Sequence, residues 1–160
     1  VGDRLGVQKC LTQSLLIELR SNYSKEKLDL VNSSIKELET LSNEYLSARS
    51  RIAACEILTN ESKELDILYS LLYKAEQEMK NCGSVWDLIK VYELEYSFIS
   101  TVSLKAKRAG SGVNQMSDSL LLDKMISLKG DFEISESSSA GKRINRIIDC
   151  LENGEANGRD

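Results

Sequence analysis

The chain has 160 residues, 41% hydrophobic and 29% charged, with 21 lysines and arginines against 25 aspartates and glutamates for a net charge of -4. That balance suits one soluble domain, excludes wholesale disorder and gives no general attraction to phosphate, so duplex nucleic acid is not the expected partner. Proline is absent, which removes the strongest helix breaker, and histidine is absent, which removes the usual neutral-pH acid, base and metal ligand.

A chain without proline is predicted to be all-α: an antiparallel helical bundle of about five or six helices with short connections, in a single domain over 1–154. It opens Val1-Gly2-Asp3-Arg4, with neither a methionine nor a signal-peptide pattern, and so reads as an excised segment or a processed product. Val7, Leu11, Leu15 and Leu19 then recur at four-residue steps and predict a helix over 5–21. Ser24 is placed to cap the next helix, with Glu26 favouring its positive N-terminal dipole.

That second helix is predicted over 24–58, on a heptad row of Val31, Leu38, Tyr45 and Ile52. Its companion row shifts near Ser42, from Leu28 and Ile35 to Leu41, Ala48 and Cys55, a drift that suits a straight helix better than a supercoiled one. Thr59-Asn60-Glu61-Ser62 reads as an interruption, with Asn60 as a cap. The helix predicted over 61–82 carries the rows Leu58, Leu65, Leu72, Met79 and Leu68, Ala75, Cys82. Ile67, Leu71 and Tyr73 form a second apolar face on it, and Tyr69 widens the surface. That face is a candidate partner surface anchored by Tyr73, unless the C-terminal helices fold back over it.

Gly83 is expected to end this helix in a left-handed conformation, and Ser84-Val85-Trp86-Asp87 reads as a capping box for a helix over 84–108. Its dense apolar content predicts the most buried helix, with Trp86 inside the bundle end and Glu93 and Glu95 marking a narrow solvent strip. Lys105, Lys107 and Arg108 complement its C-terminal dipole, and Gly110-Ser111-Gly112 reads as a flexible linker. A short helix over 117–129 follows, with Leu121, Leu122, Met125, Ile126 and Leu128, closed by Gly130. The serine-rich stretch from Asp131 to Gly141 is expected to be a mobile loop. Ile144, Ile147, Ile148 and Leu151 predict a last helix over 140–152, stopped at Asn153-Gly154, with 155–160 as a disordered tail. No repeat of fixed period is present.

The motifs of chemistry are missing. The carboxylate pairs Glu61/Glu64, Glu76/Glu78 and Glu93/Glu95 lack the Glu-x-x-His of a di-iron bundle. The serines lack a histidine base, and the glycine-rich Gly110-Ser111-Gly112 lacks a P-loop lysine. No catalytic residue, metal or cofactor is therefore expected, and the chain is not read as an enzyme. The longest uncharged apolar run, Leu15-Leu16-Ile17, is far short of the roughly 20 residues that span a bilayer. Lys142, Arg143 and Arg146 form a second candidate surface, because cations near a helix start oppose its dipole. They suit an acidic partner, a phosphate or, as a weaker alternative, an anionic membrane, and phosphorylation of Ser135, Ser137, Ser138 or Ser139 would neutralise them.

The expected function is a non-catalytic interaction or scaffold module that docks a partner helix or another subunit, including a second copy, through an apolar groove. Cys10, Cys55, Cys82 and Cys150 then act as thiols in a reducing cytoplasmic or nuclear setting, with Cys55 and Cys82 on apolar stripes. The alternative is a secreted, disulfide-bonded signalling or effector bundle, and Asn22, Asn32 and Asn60 head glycosylation tripeptides in form.

Overall fold

The computed structural model describes residues 2–41, 43–61, 64–82, 84–109 and 118–156, with the backbone alone at 103–109 and 154–156. Every regular element among them is helical: α1 (Arg4–Ser21), α2 (Lys25–Thr40), α3 (Glu44–Glu61), α4 (Leu65–Cys82), α5 (Val85–Ala109), α6 (Asp118–Asp131) and α7 (Ser139–Ala156). The chain is all-α, helix packed on helix, as its sequence predicts. No described helix is long and apolar enough to cross a membrane. Gly83, the linker glycines Gly110 and Gly112, the side chains of Lys105, Lys107 and Arg108, and 157–160 lie outside the described residues. The chain divides into two compact units, Val1–Ser84 and Val85–Asp160.

In the first unit α3 packs against α1, α2 and α4. The long helix expected over 24–58 is two helices, because α2 closes at Leu41 and α3 restarts at Glu44. The Leu41 N–H bonds to the Glu37 and Glu39 carbonyls, and the Asn43 side chain accepts from Leu46 N–H at 3.0 Å as an N-cap. The sequence drift near position 42 is thus the footprint of a break, and Tyr45 of the supposed continuous row is exposed. The interruption expected at 59–62 also moves: α3 runs through Asn60, and the chain turns at Glu64, whose φ is 48°.

The core of this unit is Leu16, Leu19, Leu28, Val31, Ile35 and Leu38 against Ile52, Cys55, Leu58, Leu68, Leu72 and Met79. α3 is buried on most of its circumference through the small residues Ser47, Ala48, Ser50, Ala54 and Cys55, which let three neighbours approach closely. On α1 the buried residues are Thr12, Leu16 and Leu19, while Val7 and Leu11 face solvent. Thr12 is satisfied there: its hydroxyl lies 2.7 Å from that of Ser34, which also accepts from Gln8 Nε2 at 2.8 Å. Ser24 caps α2 as read from the sequence, accepting from Lys27 N–H at 3.2 Å.

In the second unit α5, α6 and α7 pack on one another around Leu88, Ile89, Tyr92, Ile99, Leu121, Met125, Ile144, Ile147 and Leu151. Trp86, expected inside, is 53% exposed, because it sits in the first turn of α5 beyond the reach of that core. The expected solvent strip is also wrong for Glu95, which is 2% exposed and held by Lys124. α3 packs against three neighbours and α5 against two, and among the described side chains of α5 only Trp86 is exposed. α7 continues past Asn153-Gly154 to Ala156, a shift of one turn at a helix end.

The serine-rich connection between α6 and α7 is hydrogen-bonded throughout instead of mobile. α6 passes through Gly130 and ends in a Schellman motif: Ile134 N–H bonds to the Lys129 carbonyl at 2.9 Å, and Glu133 N–H to the Gly130 carbonyl at 3.1 Å. Glu133 holds the left-handed position of this motif, at φ 49°. A glutamate there bears strain that glycine does not, so Glu133→Gly is expected to stabilise the chain by about 1 kcal/mol. A thermal melt followed by circular dichroism checks it, and an unchanged or lowered midpoint counts against the strain.

Candidate functional site

α2 and α4 flank α3 and run in the same direction, each packed on α3 and not on the other. Two ion pairs tie them together: Lys25 Nζ to Glu64 Oε2 at 3.9 Å near their starts, and Glu39 to Lys74 further along. Between these ties lies an open groove of about 430 Å3. Its α2 wall is Asn32, Ile35 and Lys36, and its α4 wall is Asp66, Ile67, Ser70, Leu71 and Lys74. Arg51 of α3 forms the floor. Ile67 and Leu71 are half-buried, as side chains at a groove lip are, and the Asn32 carboxamide oxygen is buried with no hydrogen-bond partner among the described residues.

The floor is held by a buried charge network. Arg51 is 3% exposed, and its Nη1 donates to Glu78 Oε1 and Oε2 at 2.9 and 2.8 Å, while Nη2 pairs with Glu39. Lys74 joins from the rim by bonding Glu39, and Ser47 Oγ reaches Glu78 Oε1 at 3.4 Å. Two cations thus face two carboxylates. Burial pushes the Glu78 carboxyl up from its ordinary value despite the pull of Arg51 and Lys74, and burial likewise lowers Arg51, whose guanidinium still stays charged. A carboxylate clasped in this way positions helices; it does not offer a free base.

The sequence-predicted candidates divide. Ile67 and Leu71 line the groove, but Tyr73, expected as their anchor, points away from it and is 55% exposed. In the second unit Lys142 and Arg146 are exposed with no ion-pair partner among the described residues. Arg143 is engaged: its Nε and Nη2 donate to Glu93 Oε1 and Oε2 at 2.9 and 2.6 Å, and its guanidinium lies 5.8 Å over the Trp86 ring. The three cations of the predicted cluster are therefore not one free patch, because Arg143 fastens α7 to α5. Ser138, a candidate for modification, caps α7 by accepting from Gly141 N–H at 3.0 Å.

Cys55 is buried, with burial driving its thiol far above the ordinary range, whereas Cys10, Cys82 and Cys150 are exposed. The apolar-stripe reading holds for Cys55 and fails for Cys82, which lies in the last turn of α4. Among the described residues no three histidine, cysteine, aspartate or glutamate side chains converge on a metal-sized site. Comparison with protein-family models, curated proteins and solved structures returns no match. The functional reading accordingly rests on the groove itself.

Proposed function

We propose that the first unit is a docking module that receives an amphipathic helix of a partner protein in the groove between α2 and α4, without catalysing a reaction. The observation that carries this reading is the separation of two parallel helices over an apolar-lipped groove with a rigid, charge-clasped floor. A helix laid there would pack its apolar face on Ile67 and Leu71, in the helix-in-groove mode of recognition. The absence of histidine and the engagement of Glu78 and Glu95 by Arg51 and Lys124 support a binding role over a chemical one.

Leu71→Asp tests the reading, because a carboxylate at a half-buried lip repels an apolar partner while leaving the fully buried Leu68 and Leu72 in place. Paired affinity captures with the parent and variant chains, read by mass spectrometry, are expected to show a partner lost from the variant. With that partner in hand, the affinity should fall by roughly thirtyfold, the cost of a central hot-spot residue. Circular dichroism should remain that of the parent. Identical partners and affinities on both chains would remove the groove as the binding site.

A further inference from the structure

Two charges on the groove walls are left over once its ion pairs are assigned. Lys36 on α2 and Asp66 on α4 are both exposed, and neither has an ion-pair partner among the described residues. Their levels along the groove follow from the two ties. Asp66 lies just past the Lys25–Glu64 tie, and Lys36 lies just before the Glu39–Lys74 tie. Interpolating between the ties, which are 14 residues apart on α2 and 10 on α4, sets the two charges about six to eight residues apart along the groove, or about 9–12 Å at 1.5 Å per residue. The apolar lip of Ile67 and Leu71 lies between them.

We infer that the partner helix carries a cation and an anion seven or eight residues apart on one face, flanking apolar residues at the third and fourth intervening positions. The cation sits over Asp66 and the anion over Lys36. This rests on the docking reading of the groove and adds the partner's pattern to it. Seven residues are two turns of a helix, so both charges and the apolar residues between them share the face that meets the groove. Exposed pairs of this kind add little affinity, but they fix register and penalise a partner of reversed charge. On none of the described helices of this chain does such a charge pair flank two exposed apolar residues, so the occupant is a different protein and not a second copy.

The test is a displayed library of helical peptides that share one leucine pair and carry lysine, aspartate or alanine at the flanking positions, in both orders, selected on the full-length chain. Peptides with opposite charges in one order are expected to be enriched about fivefold over the alanine pair, as two exposed ion pairs would give. On a chain carrying Lys36→Glu and Asp66→Lys together, the opposite order should be enriched instead, and circular dichroism checks that this chain is folded. Enrichment that Leu71→Asp abolishes but that ignores the flanking charges would overturn the inference and leave the groove reading in place. If no peptide binds in a way that Leu71→Asp abolishes, both readings fall.

Discussion

Replacing Arg51 by methionine is expected to cost about 3–5 kcal/mol, because it leaves the buried Glu78 carboxylate without the guanidinium that pairs with it. A domain of ordinary stability holds only about 5–15 kcal/mol in total, so the loss should be plain in a urea or thermal titration. The comparison that isolates the cause is the double variant Arg51→Met with Glu78→Leu. Removing both partners removes the orphaned charge, and apolar side chains of similar volume fill the same space, so the double variant should recover most of the lost stability. A single variant that costs less than about 1 kcal/mol, or a double variant no better than either single one, would show that the pair is not what clasps α3 to α4. The result also bears on binding. Arg51 is the groove floor, and a looser floor should lower selectivity between partner helices before it lowers the helical content.

The buried charges were legible in the sequence as position and not as type. Arg51 lies with Ala48, Ile52 and Cys55 in the i, i+3, i+4, i+7 relation of an apolar stripe, and Glu78 lies with Ala75, Met79 and Cys82 in the same way. Glu95 falls on the stripe of Leu88, Tyr92 and Ile99. A charge on an apolar stripe points either to a narrow solvent strip or to a buried pair across the interface. Choosing between them needs the partner, and the partners are 27 and 29 residues away in sequence. Local periodicity carries no such information. The same limit explains Arg143, which looked like a free cation misplaced against the α7 dipole until Glu93, 50 residues earlier, was found beneath it.

The breaks show a different limit. Apolar rows and the Ser24 cap located the helices well, since both are properties of residues within one or two turns. The junction at Leu41 to Asn43 carries neither proline nor glycine, and its only local signs are the Asn43 cap and a one-position drift in the companion row. A drift is equally a mark of a straight long helix, so the pattern alone favoured continuity. In the connection after α6, serines that suggested mobility are instead hydrogen-bonded to one another and to the backbone: Ser135 Oγ to Ser137 Oγ at 2.9 Å, and Ser138 Oγ donating to the Ser135 carbonyl at 2.6 Å.

That connection sets up two glycine substitutions with opposite expected signs. Gly130 lies in α6, and a methyl group there would meet nothing within 4 Å, so Gly130→Ala should follow the helix rule and stabilise by about 0.5–1 kcal/mol. Gly141 is equally helical, in the first turn of α7, and propensity alone predicts the same gain. The space around it decides otherwise. A Cβ at Gly141 would stand 2.1 Å from the Ser135 carbonyl oxygen and 2.9 Å from the Glu136 Cα, and backbone atoms cannot swing aside as a flexible side chain can. To relieve the contact, the connection must lift from α7. That strains the Ser138 cap, which accepts from Gly141 N–H and donates to the same Ser135 carbonyl. Overpacking of this kind costs about 1–3 kcal/mol, and a disturbed cap adds about 1 kcal/mol, so Gly141→Ala should lower the thermal midpoint while Gly130→Ala raises it. Measuring both in one buffer removes any general effect of exchanging glycine for alanine, since only packing distinguishes the two sites. A Gly141→Ala chain as stable as the parent would mean that the serine-rich connection does not rest on α7, and the close approach that makes glycine necessary there would have to be abandoned.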